Sequence, residues 1–181
     1  MMVDGETLRA LLAAFNLRSL GTGVHPIRDE RGERAESLDV DALWLARIAP
    51  SHDPEAYLMA VYARGHEPRA VFCAYCWDGL PLIKKAPMEF PASADKVVAS
   101  LKQVDLFPKN PCYSLDGIRY SLYAATSEFG AEIKFANPGT ESWRAVEKAM
   151  LEFGEFVARM MENADMMDYV EMWRGYVESG S

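Results

Sequence analysis

Ile118-Arg119-Tyr120-Ser121-Leu122-Tyr123-Ala124-Ala125-Thr126-Ser127-Glu128-Phe129-Gly130-Ala131-Glu132-Ile133-Lys134-Phe135 is the stretch on which the fold turns. Ile118, Tyr120, Leu122 and Ala124 alternate with Arg119, Ser121 and Tyr123, while Ala131, Ile133 and Phe135 alternate with Glu132 and Lys134. A period of two marks strands with one buried face. Matching Ala124 with Ile133 and Leu122 with Phe135 brings both apolar faces together, because a one-residue slip would turn a whole face over. That pairing leaves Ser127-Glu128-Phe129-Gly130 as the loop, with Gly130 free to take a left-handed conformation.

Toward the C-terminus, Asn137-Pro138-Gly139 breaks the hairpin and Thr140 can cap a helix. Trp143, Val146, Met150, Phe153, Val157 and Met160 recur at three- and four-residue intervals, which predicts an amphipathic helix from Glu141 to Met161. Its other side carries Glu141, Lys148, Glu152, Glu155 and Arg159, with Glu155 and Arg159 a favourable i,i+4 pair. After Asn163-Ala164, Asp165 is the expected cap of a last helix whose Met166, Tyr169, Val170, Trp173 and Val177 share one face.

Toward the N-terminus, Asp4 can cap a helix carrying Leu8, Leu11, Leu12 and Phe15, which should stop before Gly21-Thr22-Gly23. Residues 24–37 mix charges around Gly32 with no apolar period and read as a solvated, exposed loop. Ala42–Ile48, Ala56–Ala63 and Ala70–Trp77 are short, apolar and separated by turn residues, as in a three-stranded meander. Asp53-Pro54-Glu55 and Arg64-Gly65 also suit a short buried helix over 56–63, although the turn spacing favours a strand. A short strand at Leu82–Lys85 and a helix capped by Ser93, with Val97, Val98, Leu101 and Val104 inward, complete the pattern. The fold class is α+β: a three-stranded meander plus hairpin in an antiparallel sheet packed against helices, in the order α-β-β-β-α-β-β-α-α. One domain spans residues 1–181.

The chain of 181 residues is 50% hydrophobic and carries a net charge of −8. An acidic balance excludes nucleic acid and anionic membrane as partners, since both require Lys and Arg to neutralise phosphate. From Glu141 onward nine acids face four bases, so five of the eight excess negative charges lie in the last two helices. A basic protein is the partner class such a surface steers. The first residues lack the basic and apolar regions of a secretory signal, and no apolar run approaches the roughly 20 residues of a membrane span. A cytoplasmic location is therefore expected. Three cysteines, an odd number, fit reduced thiols better than a disulfide framework.

Residue types capable of chemistry are present without convergent spacing. Cys73-Ala74-Tyr75-Cys76 is a CxxC, but residues three apart on a strand face opposite ways, and Cys112, His25, His52 and His66 fall at no ligand spacing. Asp116 with Glu132-Ile133-Lys134 resembles the PD-(D/E)xK nucleases. In the expected register, however, Glu132 faces Ala125, nine residues from Asp116 or about 30 Å along the strand, which is too far to share an ion. There is no GxGxxG, Walker loop, HExxH, EF-hand or GxSxG pattern, so no metal or cofactor is expected. Trp44, Trp77, Trp143 and Trp173 read first as core. Trp173 with Tyr169 and Tyr176 on an acidic terminal helix also suits an interface. The candidate partner-binding residues are Glu152, Glu155, Glu162, Asp165, Asp168, Glu171, Trp173 and Tyr176.

The element order resembles that of class I type III secretion chaperones and the YbjN-like proteins, which are small, acidic and cytoplasmic. The stretch from Leu115-Asp116-Gly117-Ile118-Arg119-Tyr120 through Asn137-Pro138 and the Trp143 helix is similar to small bacterial proteins that include immunity proteins of polymorphic toxin systems. That resemblance implies a cytosolic inhibitor that caps a toxin and has no chemistry of its own. The chaperone resemblance implies an obligate homodimer holding an extended effector peptide. The choice between monomer and homodimer is left open. A third possibility, an enzyme, needs a pocket gathering Asp53, His66 or Cys73.

Overall fold

The computed structural model describes residues 5–14, 17–28, 34–64, 69–75, 81–85, 92–104 and 117–179. In chain order these form α1 (Gly5–Ala14), β1 (Gly23–Arg28), β2 (Arg34–Pro50), β3 (Ala56–Ala63), β4 (Arg69–Tyr75), β5 (Pro81–Lys85), α2 (Ala92–Leu101), β6 (Ile118–Thr126), β7 (Gly130–Ala136), α3 (Glu141–Met160) and α4 (Ala164–Ser179). The α+β class and the alternation of helices with strand groups are as the sequence indicates. Asp4, Phe15, His66, Cys76, Trp77, Cys112 and Asp116 lie outside the described residues.

All strands join one seven-stranded antiparallel sheet in the order β5-β4-β3-β2-β6-β7, with β1 paired to β2. The 17-residue β2 is the spine: its first half pairs with β1, and its second half lies between β3 and β6. The expected solvated loop at 24–37 is therefore corrected, since strands occupy Gly23–Arg28 and Arg34 onward. Further along, β2 carries a bulge. Val40 faces Ala63 and Ala42 faces Tyr62, so Asp41 is an extra residue in β2. Leu38 and Val40 therefore pack in the same cluster as Leu43 and Leu45, and the alternation visible in sequence changes phase between the two pairs. Arg64 holds the bulge, donating to Asp41 Oδ1 at 2.9 Å. His25 of β1 is 5% exposed and fully engaged: Nδ1 accepts from the Arg18 amide at 3.3 Å, and Nε2 lies 3.0 Å from the Gly21 carbonyl.

The 56–63 segment is a strand buried on both faces from Ala56 to Val61. One sheet face packs Trp44, Ile48, Leu58, Tyr120 and Leu122 against α2, α3 and α4. The other packs Leu43, Leu45, Met59 and Val61 against Leu11 and Leu12 of α1.

The hairpin forms with a different register. Leu122 pairs with Ile133 and Tyr120 with Phe135, two residues from the expected match. A two-residue slip keeps every side chain on its face, so alternation alone could not choose between the two. The shorter loop wins, closed by the Thr126 amide on the Phe129 carbonyl at 2.7 Å. Gly130 is not left-handed; Gly117 (φ 133) and Asn137 (φ 40) at the other end of the hairpin are. Asn137 Oδ1 accepts the Ile118 amide at 2.8 Å, and the Gly117 carbonyl accepts the Ser51 amide at 2.9 Å. These bonds tie the ends of β6 and β7 to the turn after β2.

Thr140 stands at the N-cap of α3, but its hydroxyl makes no capping bond. Asn163, not Asp165, caps α4, accepting the Met166 amide on Oδ1 at 3.0 Å. Helix α2 starts at Ala92, so Ser93 lies inside it rather than before it. Among the described residues, no helix is long and apolar enough to cross a membrane.

Candidate functional site

The eight candidate residues separate into distinct environments. Trp173 is fully buried, and its indole N–H donates to the Tyr120 hydroxyl at 2.8 Å. It belongs to the core. Tyr176 is half-buried and donates to Asp53 Oδ2 at 2.8 Å, fastening α4 to the turn after β2.

Glu155 is set into the α3–α4 seam. Arg174 Nε donates to it at 2.9 Å and Nη1 to Glu171 at 2.6 Å, while Arg159 stands 3.8 Å away. These carboxylates raise the Arg174 pKa. Glu152 pairs with Lys96 of α2 at 2.8 Å. Glu162, Asp165 and Asp168 are exposed and make no ion pair among the described residues. Asp165, Asp168 and Glu171 follow one another at three-residue spacing on the outer face of α4, opposite Met166, Val170, Trp173 and Val177.

Two arrangements were not anticipated from sequence. In the first, Glu147 of α3 is only 6% exposed and faces the Tyr120 hydroxyl that Trp173 holds. Burial raises the Glu147 pKa, and the Tyr120 hydroxyl partly opposes that rise. Burial, and then the Glu147 charge, push the Tyr120 pKa well above its usual value. Beside them a cavity of about 30 Å³ opens between Asn137, Arg144, Glu147 and Tyr176, room for about one water. The signal was present: Glu147 follows Trp143 by four and precedes Met150 by three, so it falls on the buried stripe.

The second arrangement lies on the opposite face of the sheet. Cross-strand pairing sets Arg47 of β2, Ser121 of β6 and Lys134 of β7 in one row, with Arg119 two residues along β6 on the same face. Together with Ala136 they line an open groove of about 690 Å³. Arg47 makes a bidentate pair with Glu55, which also accepts from the Tyr57 hydroxyl at 3.1 Å. The pair raises the Arg47 pKa, and Glu55 is held below the usual carboxylate range because Arg47 outweighs the effect of burial. Lys134 stands 3.3 Å from Glu132. Arg119 is exposed and makes no ion pair among the described residues.

Comparisons of the chain with protein-family models, with curated proteins and with solved structures found no match. Among the described residues, no group of three or more His, Cys, Asp or Glu is placed to hold a metal ion. Cys73 lies within β4, opposite Tyr57 and Ile83. Glu132 pairs with Tyr123 rather than Ala125 and forms its ion pair with Lys134.

Proposed function

We propose that this chain is a non-catalytic protein-binding module, specifically an immunity-type inhibitor that docks a basic toxin through the outer face of α4. The observation that carries this reading is the exposed row Asp165 and Asp168, which makes no ion pair among the described residues, continued by Glu162 before it and Glu178 beyond it. Like charges three residues apart cost a helix a few tenths of a kcal/mol, and α4 bears that cost on an outer face braced by a buried inner one. An acidic surface of this kind raises the rate of encounter with a cationic partner more than it lengthens residence. Cytoplasmic placement goes with this reading.

The test is co-expression with the product of the adjacent gene, followed by binding kinetics at several salt concentrations. Asp165→Lys, Asp168→Lys and Glu178→Lys combined should slow association by tenfold or more and flatten its salt dependence. Full protection by the triple variant, or lethality that the native chain does not suppress, overturns the reading. A secretion chaperone is the second reading, favoured by the outer edge of β7, which pairs with no strand among the described residues and could accept an extended effector peptide. An obligate homodimer in light scattering would select it.

A further inference from the structure

The groove over Arg47, Arg119, Ser121 and Lys134 is open, polar and lined by three cations. Helix α1 has ten residues, about 15 Å of length, and packs toward β4 and β5. Residues 17–22 reach the far end of β6, where Tyr123 donates to the Leu20 carbonyl, and among the described residues no helix lies over the Arg119, Ser121 and Lys134 end, where the open groove of about 690 Å³ falls within the size range of small-molecule sites. Ser121 sits in the middle lane, directly opposite Arg47 on one side and Lys134 on the other. It is 9% exposed, and its hydroxyl makes no hydrogen bond among the described residues.

Three cations line or adjoin this floor, Arg47, Arg119 and Lys134, and two acids, Glu55 and Glu132, stand against them. Arg47 is saturated by Glu55, and Lys134 is shared with Glu132. The five groups together carry one net positive charge; Arg119 makes no ion pair among the described residues, although its charge also acts on Glu55. We propose that this groove binds a small organic monocarboxylate, its carboxylate held by the Arg119 fork with Ser121 Oγ donating from the floor and Lys134 at the rim. A planar carboxylate matches a guanidinium in two parallel bonds, and a monoanion matches the net charge of one that these groups carry. A dianion would gain less, because the chain as a whole carries −8. The site is independent of the acidic face of α4, which lies across the sheet.

The test is an amide NMR titration of the full chain with benzoate, its neutral counterpart benzamide, and phenyl phosphate, at constant ionic strength. Benzoate should saturate shifts at Arg47, Arg119, Ser121 and Lys134, benzamide should leave those amides unmoved, and phenyl phosphate should bind more weakly. Arg119→Gln, at an exposed position, should weaken benzoate binding on the order of tenfold or more, and Ser121→Ala by a smaller factor, with the remaining spectrum unchanged. The proposal is overturned if benzamide moves the same amides, if phenyl phosphate binds more tightly than benzoate, or if Arg119→Gln binds benzoate like the native chain. Absence of any benzoate shift up to tens of millimolar overturns it as well.

Discussion

Tyr120→Phe removes one hydroxyl from the centre of the helix-covered face, the acceptor for the Trp173 indole and a partner of Glu147. Tyr120 is 1% exposed and Trp173 is fully buried, so once the hydroxyl is gone the indole N–H, held at 2.8 Å, has no access to water. Leaving a buried donor unsatisfied costs about 1–3 kcal/mol. The void is hydroxyl-sized, roughly 10 Å³, and adds only about 0.2 kcal/mol. Phenylalanine keeps the ring, and with it the stack on Phe135 at 4.8 Å, so the expected loss is about 1.5–3 kcal/mol. Urea unfolding followed by tryptophan fluorescence measures it, with an unchanged slope as the check that the end states are the same. Tyr123→Phe is the control: that hydroxyl donates to the Leu20 carbonyl at 3.2 Å from a half-buried position and should cost about 1 kcal/mol or less. If Tyr120→Phe costs no more than Tyr123→Phe, and the Trp173 indole proton exchanges no faster, the reasoning that ties α4 to the sheet through this bond is wrong.

The remaining expectations concern charge and packing. Glu147 has a folded pKa raised above its ordinary value of 4.5, so the native state binds more protons there, and its contribution falls as pH rises through 4.5 and then through the folded value. Glu147→Gln should therefore gain on the native chain as pH rises across that window, measured by thermal melts at stepped pH. Glu55 runs the opposite way: its folded pKa is lowered, so its stabilisation is present above 4.5 and is lost as pH falls through the folded value, and Glu55→Gln should flatten that acid limb. In α3, alanine at Gly154 would gain about 1 kcal/mol of helix propensity, yet its Cβ would lie 2.8 Å from Trp173 Cζ3 against an indole with no room to move. Gly154→Ala should be net destabilising by about 1–2 kcal/mol in the same urea assay, and a stabilised variant would show that the indole yields. Asn163→Ala should cost about 1 kcal/mol whereas Asp165→Ala should cost little, because the α4 cap bond comes from Asn163.

The sequence carried the fold wherever the controlling interaction was local. The stripe Trp143, Val146, Met150, Phe153 and Val157 is the buried face of α3, and Met166, Tyr169, Val170, Trp173 and Val177 that of α4. The alternation of β6 correctly gave Tyr120 and Leu122 to the core. Register was less legible, because a slip of two residues conserves every face and only the closure of the Thr126–Phe129 turn decides between them. The candidate residues were legible as charges but not as roles. Nothing in the spacing of Glu155 reveals that Arg174, nineteen positions on, will draw it into the helix seam.

The bulge in β2 also shapes the groove. Asp41 is one residue more than the β3 ladder can pair, and it resets the phase of β2. Upstream of it the even positions Leu38 and Val40 face the α1 side; downstream the odd positions Leu43, Leu45 and therefore Arg47 do. With strict alternation, burying Leu38 and Val40 beneath α1 would turn Arg47 into the tryptophan-lined core against α3, where a guanidinium has no partner and burial is costly. The bulge lets one strand bury leucines at both ends on the same face and still present Arg47 beside Glu55 and Ser121. Arg119, Ser121 and Lys134 were visible as the polar side of a hairpin. Only the long-range pairing of β2 with β6 makes that polar side a lined groove, and a pairing such as Arg47 with Ser121, 74 residues apart, leaves no periodic trace in either strand.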